Sequence, residues 1–239
     1  MTHVISGRMS HSEVADILRQ HNCREFTEEW TFEGLGSTAR AGGGWADVFK
    51  ARTTSGFLIA IKRTRLFTAQ SEFPRILRQS AHELHIWSKC NHPNVLPLLG
   101  FAEWEGQFAM ISPWMEGGDV RAFIHANPNT PDRLNMCLQI ANGLSYFHEN
   151  HMVHGDLKAQ NALVSANGTV MLTDLGSSTI KNQSLTVSTV VRGMVSVFWM
   201  APEMTKLNDP AAPSSFSDIY ALGMVGHKRS FFMRVHLLT

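Results

Sequence analysis

The chain has 239 residues, 44% of them hydrophobic, with 21 basic and 20 acidic side chains and a formal net charge of +1. That is enough apolar material for one two-lobed domain or two small ones, and a charge so near zero argues against a nucleic-acid-binding protein or a polybasic membrane-surface protein. The cysteines Cys23, Cys90 and Cys137 are scattered without metal-ligand spacing and read as reduced thiols of an intracellular, cytoplasmic protein; no apolar run reaches the roughly 18–20 residues of a membrane span, and the N-terminus lacks the apolar stretch of a secretory signal.

In chain order, Ser10 and Glu13 form a capping-box pattern ahead of a predicted helix over 10–21, with Val14, Ile17 and Leu18 as its apolar stripe. This helix reads as an appendage covering part of a lobe surface. Residues 30–62 alternate glycines with β-type runs and predict a small antiparallel sheet. Residues 72–90 predict a helix with Pro74 near its start. Asn94–Phe101 and Phe108–Pro113 read as apolar strands joined across Glu103-Trp104-Glu105-Gly106. A long helix begins near Asp132, with Leu134, Cys137, Leu138, Ala141, Leu144 and Phe147 as its core face. A sheet with one helix, followed by mostly helix, predicts an α+β chain of two lobes with a cleft between them.

The chemistry concentrates beyond the long helix. Residues 154–161 read His154-Gly155-Asp156-Leu157-Lys158-Ala159-Gln160-Asn161, and Asp174-Leu175-Gly176 follows thirteen residues past Asn161. Phosphoryl transfer needs one carboxylate to orient a hydroxyl, and an oxygen pair to hold Mg²⁺ on nucleotide phosphates. Asp156 supplies the first, Asn161 and Asp174 the second, and Lys158 adds a positive charge beside them. This stretch resembles the catalytic loop and metal-binding turn of eukaryotic protein kinases.

The resemblance extends in both directions. Residues 41–48, Ala-Gly-Gly-Gly-Trp-Ala-Asp-Val, resemble a kinase glycine-rich loop in which only Gly43 keeps a glycine in register. Ile59-Ala60-Ile61-Lys62 follows, and Glu83 lies nine residues before His92-Pro93-Asn94, so the resemblance implies a Lys62–Glu83 ion pair holding the lysine on the α- and β-phosphates. Met110–Gly118 resembles the segment linking the lobes. There Ser112 takes the gatekeeper place, Met115 offers an amide N–H and Pro113 a carbonyl to adenine, and Val48, Ala60 and Leu163 match the positions that sandwich the base. Trp199-Met200-Ala201-Pro202-Glu203 resembles the end of an activation segment. Ser217–Gly223 resembles the start of the central helix, whose aspartate, here Asp218, hydrogen-bonds the catalytic loop in that family. Lysine two residues after the aspartate, together with Trp-Met-Ala-Pro-Glu and Pro-Asn-Val-Leu-Pro-Leu-Leu-Gly, is closest to Ser/Thr kinases of the tyrosine-kinase-like branch.

The resemblance therefore implies a protein-kinase-like two-lobed fold, transfer of the ATP γ-phosphate to a Ser or Thr hydroxyl of a protein substrate, and ATP and Mg²⁺ as cofactors. Its departures are Gly155 for the arginine before the catalytic aspartate, Leu175 for phenylalanine, and Phe198 where a basic residue is common. Nothing after Val225 aligns with the family. The expected organisation is an N-terminal extension over 1–29, a kinase domain over 30–225 (small lobe 30–115, incomplete large lobe 116–225) and an unrelated tail over 226–239. An incomplete large lobe leaves two further expectations: an inactive or ATP-binding pseudokinase scaffold as the alternative function, and a chaperone as a partner beside the protein substrate.

Overall fold

A computed structural model describes residues 9–32, 46–64, 73–104, 106–129, 132–180, 198–205 and 211–227. Gly43 with its glycine-rich stretch, and the tail from 228 onward, lie outside the described residues. The chain divides into two compact units. One gathers the described residues up to Asn91 with Pro97–Trp114, and the other gathers His92–Leu96 with those from Met115 onward.

The first unit opens with helix α1 (His11–Gln20), and its capping box is formed: the Ser10 hydroxyl accepts from the Glu13 N–H, and the Glu13 carboxylate accepts from the Ser10 N–H at 2.7 Å. Strands β1 (Trp30–Phe32), β2 (Ala46–Thr53) and β3 (Leu58–Thr64) precede helix α2 (Phe73–Trp87), and β4 (Gly100–Trp104) and β5 (Gln107–Pro113) follow it. The five strands form one antiparallel sheet in the order β1-β2-β3-β5-β4. Side chains alternate across a strand, so β3 sends Ile59 and Ile61 into a core with Phe49, Ala51, Ala102, Ala109 and Ile111, covered by Phe26, Trp30, Leu99 and Trp104.

Sequence reading placed a strand over Asn94–Phe101, but β4 begins only at Gly100. The apolar run is divided between the units. In the second unit the Asn94 carbonyl accepts from the Leu172 N–H, and the Leu96 N–H donates to the Leu172 carbonyl, both at 2.9 Å. Pro97 follows directly and has no N–H to continue a ladder.

The second unit contains β6 (Gly118–Asp119), α3 (Val120–Ala126), α4 (Arg133–Glu149), β7 (Met152–Val153), β8 (Ala162–Val164), β9 (Val170–Leu172), β10 (Thr179–Ile180) and α5 (Ser215–His227). Sequence analysis missed α3, which is too short to show periodicity. Its signal is local: the Asp119 carboxylate caps the Ala122 N–H at 2.9 Å, and Val120 and Ile124, four apart, are buried. The core face of α4 is the expected one only in part, at Leu144 and Phe147. Met136, Ile140, Gly143, Leu144 and Phe147 are buried, whereas Leu134 and Leu138 are 63% and 54% exposed. Gly143 fixes this orientation, because a Cβ there would stand 2.6 Å from the Asn94 carbonyl oxygen and 3.1 Å from a Leu172 methyl. The helix turns its glycine side to β9, and the Leu134/Leu138 side faces out. Among the described residues no helix is long and apolar enough to cross a membrane.

All three cysteines are free. Burial raises each thiol, and carries Cys90 to about 12. The thiolate is the nucleophile, so near neutral pH Cys90 is almost wholly the unreactive thiol. At about pH 8 its thiolate fraction is on the order of 10⁻⁴. Alkylation of Cys90 by iodoacetamide, followed by mass spectrometry, should be at least about 10-fold slower in the native protein than in urea; equal rates would show that its burial is wrong.

Candidate active site

Within the first unit, strand register gathers one set of the candidate residues. Val48 stands opposite Lys62, and Ala60 opposite Ser112. Opposed residues share a sheet face, as do residues two apart, so Val48, Ala60, Lys62 and Ser112 all lie on the face away from Ile59 and Ile61. From that face the Lys62 ammonium reaches the Glu83 carboxylate of α2 at 2.7 Å, with the glutamate side chain only 7% exposed. A carboxylate so buried is costly unless it is paired, and the short charge-assisted hydrogen bond offsets that cost. The pair that the resemblance implies is formed.

The second unit holds the other set, organised around Asp218 at the start of α5. Its carboxylate, 2% exposed, accepts the His154 N–H at 2.9 Å and the Gly155 N–H at 3.0 Å, and meets His148 Nε2 at 3.0 Å. His154 is fully buried, and its Nδ1 accepts the Asp156 N–H at 3.3 Å. That leaves Nε2 to carry the proton, which it donates to the Thr173 carbonyl at 3.1 Å. Two rigid anchors, one aspartate and one imidazole, thus set the backbone on which Asp156 sits.

The polar side chains converge from there. Lys158 Nζ lies 2.6 Å from Asp156 Oδ2. Asn161 Nδ2 donates to the Asp156 carbonyl at 2.8 Å and to Asp156 Oδ2 at 3.3 Å. The Thr173 N–H donates to the Asn161 carbonyl at 2.9 Å, which places Asp174 beside Asn161. Asp174 has a left-handed backbone, with φ at 67°; such conformations cost a non-glycine residue stability and cluster at functional sites. A small cavity behind Asp156 is lined by Leu157, Trp199, Met204, Asp218 and Ala221. Of the remaining candidates, Met115 is buried and its carbonyl accepts from Gly118 N–H, while Leu163 is half-buried on β8, opposite Asp119 in the register.

Gly155, which sequence comparison marks as a departure, has a local physical cause. Its φ is +79°, and a Cβ would stand 2.6 Å from the Ser177 carbonyl oxygen. Ser177 leads into an ordered stretch: the buried Ser178 hydroxyl donates to the His154 carbonyl at 3.1 Å, and β10 pairs with β7 through Thr179–Val153 and Ile180–Met152. Residues 177–180 are thereby fastened to the segment 152–155. Neither Ser178 nor His148 carried a sequence signal, because each matters only through a partner far along the chain.

The donor set suits magnesium. Mg²⁺ on a nucleotide takes one or two protein oxygens and fills its octahedron with phosphate and water. Asn161, whose Nδ2 is committed to Asp156, could offer Oδ1 to such an ion, and Asp174 a carboxylate. Among the described residues no group of three or more His, Cys, Asp or Glu could hold a metal, so a self-sufficient cage such as zinc prefers is not formed.

A buried aspartate holding the catalytic loop, a carboxylate–lysine–asparagine cluster and a sheet lysine paired to a helix glutamate define a phosphoryl-transfer fold. The chain belongs to the protein tyrosine and serine/threonine kinase family, whose pattern it matches over residues 37–227. It is 28% identical over 186 residues to the serine/threonine-protein kinase A-Raf of Mus musculus and of Homo sapiens, an alignment covering 77% of this chain and 30% of each relative. It is 32% identical over 174 residues to the protein named probable serine/threonine-protein kinase mkcB of Dictyostelium discoideum, covering 72% of this chain and 23% of that one. The chain thus spans less than a third of the length of these curated relatives. The family brings the α+β two-lobed kinase fold and, as a family, the use of ATP and Mg²⁺.

Restoring the family's arginine at Gly155 should therefore harm the protein. A left-handed backbone costs an L-residue about 1–2 kcal/mol, and the Ser177 carbonyl must also move. Gly155→Arg is expected to lower the melting temperature by about 4 °C or more, at about 2–4 °C per kcal/mol. A scanning-calorimetry trace unchanged from wild type would refute the close approach of Ser177.

Proposed function

We propose that this chain is a protein serine/threonine kinase that moves the γ-phosphoryl group of ATP to a hydroxyl of a protein substrate. The observation that carries the reading is the Asp156–Lys158–Asn161 cluster, in which a carboxylate, an ammonium 2.6 Å away and an amide meet on a loop locked by Asp218. Asp156 orients the substrate hydroxyl and accepts its proton as the oxygen attacks the γ-phosphorus. The bond from that phosphorus to the bridging oxygen breaks, and ADP leaves. Lys158 offsets the negative charge on the transferring group. Lys62, held by Glu83, serves the α- and β-phosphates. By the family resemblance, the base positions are Val48 and Ala60 in the first unit and Leu163 in the second, the adenine-pairing groups are the Pro113 carbonyl and the Met115 amide, and Gly43 is the glycine kept in the phosphate-loop motif. Mg²⁺, held by Asn161 and Asp174, neutralises charge on the β- and γ-phosphates when bound.

Serine or threonine as the acceptor is supported by Lys158, two residues after the aspartate, and by the relatives. A cytoplasmic place is supported by the scattered, free cysteines, and a lack of nucleic-acid or membrane-surface partners by the near-neutral charge. The pseudokinase alternative gains nothing from the geometry, since the polar positions it should have lost are present and assembled.

Two measurements test the reading. Calorimetry should show ATP affinity that depends on Mg²⁺ and falls at least about 10-fold in Lys62→Met, about 1.4 kcal/mol; affinity indifferent to both would mean that the nucleotide residues are wrongly assigned. Phosphate transfer to a Ser/Thr substrate should drop about 10²–10⁴-fold in Asp156→Ala, the usual contribution of a positioned base. Transfer that survives this change would belong to another enzyme in the preparation.

A further inference from the structure

We propose that the segment Ser10–Phe26 is a positioning element for α2, fastening that helix to the sheet so that Glu83 stays on Lys62. The idea rests on the kinase reading for its consequence but on separate contacts for its geometry. Sequence analysis treated this helix as surface cover. The structure shows it tied to both elements that carry the ion pair.

On the α2 side, α1 packs against the helix, with Val14 and Leu18 almost wholly buried. The turn after α1 continues the contact. The His21 ring meets His85 edge-on at 5.0 Å, and the Cys23 thiol donates to Ser88 Oγ at 3.2 Å with the Leu84 carbonyl at 3.8 Å. Leu84, His85 and Ser88 follow Glu83 within two turns, so these contacts act on the part of α2 that aims the glutamate.

On the sheet side, the segment is annealed to β4. The Phe101 N–H donates to the Arg24 carbonyl at 2.9 Å, and the Phe26 N–H donates to the Phe101 carbonyl at 2.7 Å, adding a short parallel bridge at Glu25. The approach is so close that a Cβ on Gly100 would stand 2.7 Å from the Arg24 oxygen. At the other end of α1, the His11 ring contacts Phe108 of β5 at 5.4 Å. The sheet carries Lys62 and α2 carries Glu83, so one continuous stretch bridges the two supports of the pair. Loss of the bridge frees α2 to withdraw the carboxylate, and the lysine then loses its orientation.

The test uses the 239-residue chain and three variants of it. Leu18→Asp puts a charge against α2, Gly100→Ala wedges residues 24–26 off β4, and Leu18→Met keeps the packing. Three readouts are compared: amide hydrogen exchange over 76–88 and over α4, acylation of Lys62 by an N-hydroxysuccinimide ester read by mass spectrometry, and kcat and KM for ATP. In Leu18→Asp and Gly100→Ala, exchange in α2 should rise about 10-fold or more while α4 is unchanged. Lys62 should acylate several-fold faster, and kcat/KM for ATP should fall about 10-fold or more. Leu18→Met should match wild type, and a synthetic peptide of residues 9–27 should restore slow Lys62 acylation to Leu18→Asp. If α4 exchange rises too in Leu18→Asp, that variant is unfolded and Gly100→Ala decides. Faster α2 exchange with unchanged Lys62 acylation would overturn the proposal, as would unchanged α2 exchange. A wild type without kinase activity would sink the functional reading alone, because the exchange and acylation results would still judge the clasp.

Discussion

Everything the catalytic loop can do depends on the buried carboxylate of Asp218. Two consecutive backbone N–H groups, of His154 and Gly155, end on its two oxygens, and His148 meets one of the same oxygens. Backbone donors buried without a partner cost about 1–3 kcal/mol each, so the aspartate and the loop conformation require one another. The direction of Asp156 follows, because its own N–H is taken by the His154 ring. The backbone of Asp156 is thus set by Asp218 and His154, while Lys158 and Asn161 hold its carboxylate from the side.

The Lys62–Glu83 pair follows a different logic. It is carried by two elements, a strand and a helix, and each ion lies partly out of water. Breaking such a pair from one side costs about 3–5 kcal/mol, because the remaining charge stays buried. A protein that holds the helix firmly therefore keeps the lysine aimed without further help, and a protein that lets the helix move can switch it. The contacts of α1, Cys23 and the Arg24–Phe26 segment belong to the first arrangement.

Much of this was legible from sequence because it is local or set by register. The capping box of Ser10 and Glu13 and the long helix after Asp132 each depend on a few neighbouring residues, and the structure bears both out. Lys62 and Glu83 were readable because each sits in a short motif that resembles the kinase family, and the resemblance implies their pairing. What sequence missed depends on partners remote in the chain. The buried face of α4 was misread because the helix carries two apolar stripes, and only the approach of Asn94 and Leu172 to Gly143 selects between them. The run 94–101 is uniformly apolar and gives no hint that Pro97 divides it between two units. Gly155 looks like a loss when compared with a motif, and like a requirement once the Ser177 carbonyl is placed against it.

The divided run also has a consequence for synthesis on the ribosome. Residues 92–96 emerge early, yet the partner of the Asn94 carbonyl, the Leu172 N–H, is made 78 residues later. At about 5–20 residues per second that is a delay on the order of 4–16 s. Val95 and Leu96, almost wholly buried in the finished protein, spend it without β9 to pair with. The sheet unit, whose last strand ends at Pro113, can close around its own core in that interval. The nascent chain then carries a completed unit interrupted by the segment 92–96, whose Val95 and Leu96 still lack their cover and need shielding from neighbouring chains.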